Sequence, residues 1–265
     1  MKFQLKALAA AAILAASIPA YAAIDTAASG NSSFVLTVLD KVANVQASFD
    51  LGKNYADFNQ VALAGAVSNV TNPGTSFSWN LASNPDYSAA WTSFLGAATL
   101  PNIQYAITAT DNLGLGAGSR GYITTLAALQ ASVTTNAMTT ALGNFDTYVL
   151  NEGSLGHAAA NGSLFTANAT TASIVYGNNR LGGTTTGPTT LGRIDSNLGV
   201  IQVTGSATAF TSATQTVFGN GAFFNLASNG ALVYGTAAPI PEANTGAMML
   251  LGLGFMGFVA RRKQA

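Results

Sequence analysis

Apolar runs stand at both ends of the chain and restrict aqueous folding to the residues between them. The first, Ala7 to Ile18, follows Lys2 and Lys6 and is closed by Pro19 and Ala20-Tyr21-Ala22. A basic start, a 12-residue apolar segment and an A-x-A end form a secretory signal peptide over residues 1–22. Cleavage is expected after Ala22, with Ala20 and Ala22 as the small residues of the site and the Sec translocon as the export partner.

The second run, Gly246 to Ala260, is preceded by Pro239-Ile240-Pro241-Glu242-Ala243-Asn244-Thr245 and followed by Arg261-Arg262-Lys263. As a helix it would span about 22 Å against about 30 Å of hydrocarbon. Counting from Ala243 extends the span to about 27 Å, and snorkelling basic side chains cover the remainder. Positive charge behind an apolar segment stays on the cytoplasmic side. The pattern predicts a transmembrane helix over 246–260, with Arg261, Arg262 and Lys263 as stop-transfer residues in the inner membrane. Gly252, Gly254 and Gly257 miss G-x-x-x-G spacing, so no helix-dimerisation face is expected.

A Pro-Glu motif, an apolar helix and a basic end, in that order, resemble the PEP-CTERM sorting signal of exported proteins in Gram-negative bacteria. The residues carrying the resemblance are Pro241-Glu242-Ala243-Asn244-Thr245, Ala247 to Phe255 and Arg261-Arg262-Lys263, within a segment set at 239–265. Members usually read Pro-Glu-Pro, and here Ala243 replaces the second proline. The resemblance implies an exosortase, a multi-spanning membrane enzyme, as processing partner. It also implies transient anchoring in the inner membrane, then a place at the cell surface or outside it, in bacteria that make exopolysaccharide.

The charge that can be interpreted lies mostly in these ends. Residues 23–240 keep five basic and nine acidic side chains, a net −4 over 218 residues. No basic stripe exists there, so nucleic acid is excluded as a partner. With no Cys anywhere, disulfide frameworks, thiolate catalysis and Cys-based zinc sites are excluded too. A 49% share of hydrophobic residues argues against disorder.

The stretch 23–238 reads as one mainly β domain, a β-sandwich with a single helical insertion at about 122–150. Ser33 to Asp40 and Val45 to Leu51 form a hairpin around Lys41-Val42-Ala43-Asn44. Phe77 to Leu81 and Ile103 to Thr108 read as strands, and Ser88 to Leu95 as a short helix. The helical insertion rests on Ile123, Leu126, Leu129, Val133, Ala137, Ala141, Phe145 and Tyr148, spaced by three or four. Ser173 to Tyr176 and Val200 to Val203 look like strands, and Phe223 to Ala227 with Ala231 to Tyr234 make a hairpin turning at Asn229-Gly230. Asn-Leu-Ala-Ser-Asn occurs twice, at 80–84 and 225–229, too little for a repeat architecture. The opening and closing hairpins are similar to those of uncharacterised exported proteins with such tails, which implies no activity.

Each pattern able to carry chemistry meets a plainer reading. Gly116-Ala117-Gly118-Ser119-Arg120-Gly121 fits G-x-G-x-x-G, yet no acidic residue ends a second parallel strand about twenty positions on, so a glycine loop is expected. His157, the only histidine, has no G-x-S-x-G serine to serve. A glycosidase would need two carboxylates about 5–10 Å apart. Its stock is Asp40, Asp50, Asp57, Asp86, Asp111, Asp146, Glu152 and Asp195. Asn144, Asp146, Asn151 and Glu152 offer oxygens for calcium without EF-hand spacing. Thr184-Thr185-Thr186 belongs to no regular threonine rank of the kind ice binding requires. No cofactor and no metal is expected. The function these patterns support is a non-catalytic structural or adhesive surface or matrix protein of an exopolysaccharide or biofilm layer. The alternatives are a secreted glycan hydrolase using two aspartates and a permanently membrane-anchored binding module.

Overall fold

The computed structural model describes residues 24–60, 69–113, 119–127, 132–154, 162–167 and 191–238. Among them the chain is mainly β. In order it runs β1 (Ser33–Asp40), β2 (Val45–Asn54), α1 (Tyr55–Phe58), β3 (Ser76–Asn80), α2 (Ser88–Ala97), β4 (Gln104–Asp111), β5 (Gly121–Leu126) and α3 (Thr135–Ser154). It continues with β6 (Ser163–Ala167), β7 (Gly192–Arg193), β8 (Asn197–Thr204), β9 (Thr214–Val217), β10 (Phe223–Leu226) and β11 (Ala231–Gly235).

All of these strands join one antiparallel sheet in the order β3-β11-β10-β8-β5-β4-β1-β2-β6, with β7 on β4 and β9 on β8. The sheet curls until its distant parts meet. Phe34 of β1 and Phe224 of β10 have three strands between them along the sheet, yet their rings lie 6.2 Å apart. Tyr105 Oη of β4 donates to the Phe224 carbonyl at 2.9 Å. Trp79 Nε1 of β3, one end of the sheet, donates to the Leu51 carbonyl of β2, near the other end, at 2.8 Å. The expected sandwich layers therefore belong to a single sheet.

The single turn α1 fills the interior. Its Asn54 start is held by a reciprocal box, with Asp57 Oδ2 accepting the Asn54 backbone N–H at 2.9 Å. Phe58 stacks on Phe34 at 4.4 Å and meets Tyr234 edge-on at 5.1 Å. Phe49, Trp91, Phe94, Leu226 and Leu232 complete this core. A second apolar layer forms outside the sheet, where Val35, Ala106, Tyr122, Ile201 and Val203 pack under Met138, Leu142, Phe145 and Val149 of α3. Thr37 and Tyr148 join sheet and helix by a 2.9 Å hydroxyl contact.

One boundary differs from the sequence expectation. The helical insertion set at 122–150 begins at Thr135, and Gly121–Leu126 is the strand β5. Ile123 and Leu126 match the helical spacing, but the β-branched Ile123-Thr124-Thr125 run favours extended backbone, with Tyr122 turned toward α3 and Ile123 toward the interior. The helix then passes through Gly143-Asn144 to Ser154. Its threonines bond back to carbonyls four residues earlier, Thr139 to Thr135 at 3.0 Å and Thr147 to Gly143 at 2.9 Å. The expected strand 173–176 lies outside the described residues.

Candidate functional site

Five of the candidate carboxylates are committed to backbone N–H groups at turns. Asp40 Oδ1 accepts from Val42 at 2.8 Å and Ala43 at 3.0 Å, and its Oδ2 accepts from Thr99 at 2.8 Å. Asp50 takes Gly52 N–H at 2.9 Å and the Ser33 hydroxyl at 2.9 Å. Asp57 closes the box on α1, Asp111 accepts from Leu113 at 2.9 Å, and Asp195 accepts from Ser228 at 2.9 Å. At Asp40, Asp50 and Asp111 these are Asx-type turns, the acid accepting the N–H two residues on, whereas Asp57 reaches back to the start of α1 and Asp195 reaches across to the turn between β10 and β11. Burial would raise the Asp40 carboxyl, but its three backbone donors and the Asn102 side chain outweigh burial and hold it below the usual range. Burial raises Asp50, against its hydrogen bonds and aided by Asp25, and burial likewise raises Asp111.

Of the remaining candidates, Asp86 lies in the turn before α2, and Asn144 and Asp146 sit on α3. Two residues apart on a helix, Asn144 and Asp146 point to different sides, which a shared calcium ion would not suit. The side chains of Asn151 and Glu152, and all of His157, lie outside the described residues. Among the described residues no group of three or more His, Asp or Glu side chains is gathered. The G-x-G-x-x-G stretch falls in the connection from β4 to β5, which pair antiparallel with Thr108 opposite Thr124. A dinucleotide site needs a parallel βαβ crossover there.

A buried polar group inside the curl escaped the sequence reading. Gln202 on β8 donates to Tyr55 Oη at 2.8 Å and to Asn59 Oδ1 at 2.6 Å, and its Oε1 accepts the Gln60 N–H at 2.8 Å. These bonds tie α1 and the chain after it to the middle of the sheet. Burial pushes the Tyr55 hydroxyl well above the usual tyrosine range, so it stays protonated. The only sequence signal was a glutamine set among Val200, Ile201 and Val203 in the middle of the strand.

At the far end the fold holds the chain to its last described residues. Beyond β11, Thr236 N–H donates to the Thr75 carbonyl at 3.0 Å and its hydroxyl to Asn72 O at 2.8 Å. Ala237 N–H donates to Asn220 O at 2.8 Å. The chain thus leaves the domain beside β3, two residues before Pro239. Ala20, Ala22, Pro241, Glu242, Ala243, Arg261, Arg262 and Lys263 all lie outside the described residues. So does the run 246–260, and among the described residues no helix is long and apolar enough to cross a membrane.

The described residues form a charge-poor β fold, and the chain goes on from Ala238 into a C-terminal segment. Residues 239–263 of that segment match the PEP-CTERM protein-sorting motif. The motif indicates an exported protein targeted to an exosortase. The rest of the chain matches no recognised family. Comparison with curated proteins and with solved structures returns no match.

Proposed function

We propose that the β domain is a non-catalytic structural or adhesive protein of the exopolysaccharide or biofilm layer. It passes the inner membrane through the Sec translocon, loses residues 1–22, is held briefly by 246–260 and is released when exosortase removes the sorting segment. The sorting motif at 239–263 carries this reading. The capped aspartates support it, since a two-carboxylate hydrolase needs acids free to face a substrate. Low charge with abundant hydroxyl and amide side chains suits contact with neutral glycans.

Fractionation of the host with and without its exosortase tests the proposal. With the enzyme, the protein is expected in the surface or matrix fraction, and polysaccharide removal releases it. Without the enzyme, it is expected to stay in the inner membrane. An unchanged distribution between the two strains contradicts it.

A further inference from the structure

One stretch of the sheet has an outer face that the described helices leave bare. They pack elsewhere, α2 against β2 and β6, and α3 against β4, β5 and β8. The register sets two rows of side chains across this face. One is Ser76, Gly235, Phe223 and Gly199, and the other is Ser78, Val233, Asn225 and Asn197. Ser76, Ser78, Val233 and Asn197 are exposed, while Phe223 and Asn225 are partly so.

The first row is built around a flat ring. Phe224 points into the core at 1% exposure, so its neighbour Phe223 must point outward. There the ring lies over Gly235, where a methyl group would come within 3.1 Å of Cζ and 3.3 Å of Cε1. On its other flank Gly199 raises no side chain. The ring is left as a plate with one side on backbone and the other toward solvent. In the second row Asn225 Nδ2 donates to Asn197 Oδ1 at 2.8 Å. That bond orients both amides and leaves Asn225 Oδ1 to accept and Asn197 Nδ2 to donate.

We propose that this face binds an uncharged polysaccharide, with Phe223 stacking on a sugar ring and Asn225, Asn197 and Ser78 hydrogen-bonding its hydroxyls. The proposal rests on the role in the exopolysaccharide layer and names the surface that performs it. An aromatic face is electron-rich and attracts the C–H groups that line one side of a sugar ring. Fixed amides and a serine hydroxyl both donate and accept, as sugar hydroxyls do. The two rows carry no charged side chain, so an anionic chain finds no counter-charge here. A second copy of the chain would need about 800 Å² per partner with an apolar centre, and this face supplies one half-covered ring and Val233.

The test uses processed protein from the host medium, equilibrated with insoluble cellulose, β-1,3-glucan and mannan, and with alginate as the anionic control. Wild type is expected to bind at least one neutral polymer and not alginate. Phe223→Ala and Val233→Glu are each expected to weaken binding about tenfold or more, and Phe223→Trp to retain it. Val233→Glu leaves the ring in place and starts from an exposed position, so its secreted yield and melting temperature should match wild type.

The face is overturned if both variants bind as wild type does, if alginate binds equally, or if Phe223→Ala instead abolishes a dimer seen by gel filtration. Glycan binding unaffected by the variants removes the face and leaves the role in the layer standing. Wild type binding no neutral polymer removes the face, and whether the role falls with it is read separately, from retention in the matrix fraction.

Discussion

Under α3 the outward side chains of the sheet are Val35, Ala106, Tyr122, Ile201 and Val203, all buried, whereas on β3, β11 and β10 the outward positions hold Ser76, Ser78, Asn80, Val233 and Asn225. The same backbone lattice thus serves as a second core in one place and as a solvated surface in the other. A covering helix makes the difference. β1 is buried at every position, because its inward side chains Phe34, Leu36 and Val38 meet the interior while Val35 and Thr37 meet the helix layer. β3 alternates between exposed and half-buried positions along its length.

The largest test of this contrast is truncation under the helix. Phe145 is fully buried between α3 and the sheet, so Phe145→Ala is expected to cost about 3–5 kcal/mol in urea unfolding. Ser78→Ala on the bare face is expected to stay within about 0.5 kcal/mol. Similar costs at the two positions would erase the distinction. A smaller loss is expected at the turn bordering the bare stretch. Gly230 has φ +86°, and a methyl group there would lie 2.8 Å from Trp91 Nε1, so Gly230→Ala should cost about 1–3 kcal/mol. Tyr148→Phe removes the partner of the buried Thr37 hydroxyl and should cost about 1–2 kcal/mol, measured the same way.

The smallest effect concerns pH. Asp50 and Asp111 have native values raised above the ordinary 3.8, so their contribution is complete below that value and is lost as pH rises through the native one. Asp40 is lowered, so its contribution is present above 3.8 and is lost as pH falls through its native value. Replacing Asp50 by Asn should flatten the decline of stability as pH rises above 3.8. Replacing Asp40 by Asn should remove stability at neutral pH and little at low pH. Identical profiles for the two variants would contradict these assignments.

How far the sequence could be read follows the same contrast. The opening hairpin was legible because Phe34 to Leu39 is a β-rich run followed by a turn that closes at Asn44, which takes φ +59°. The closing hairpin was legible from Asn229-Gly230. The Asn-Leu-Ala-Ser-Asn echo also has a place in the fold, since its two copies begin on β3 and β10, the neighbours of β11 on either side. The start of α3 was not legible, because in Tyr122 to Leu126 both faces of a strand are covered and two-sided burial imitates helical spacing. The curl could not be read either. It depends on contacts such as Trp79 to Leu51 and Tyr105 to Phe224, between residues far apart in the chain. For the candidate sites, sequence supplied the acids but not their turns. Adjacent aromatics at Phe223-Phe224 did require one ring to face outward, though only the register shows it lying over a glycine.

The most direct test of the account as a whole is the intact mass of the protein recovered from the culture medium of its host. The account predicts a chain beginning at Ala23 and lacking Met248 to Lys263. A secreted product that still carries Arg261-Arg262-Lys263 would contradict it.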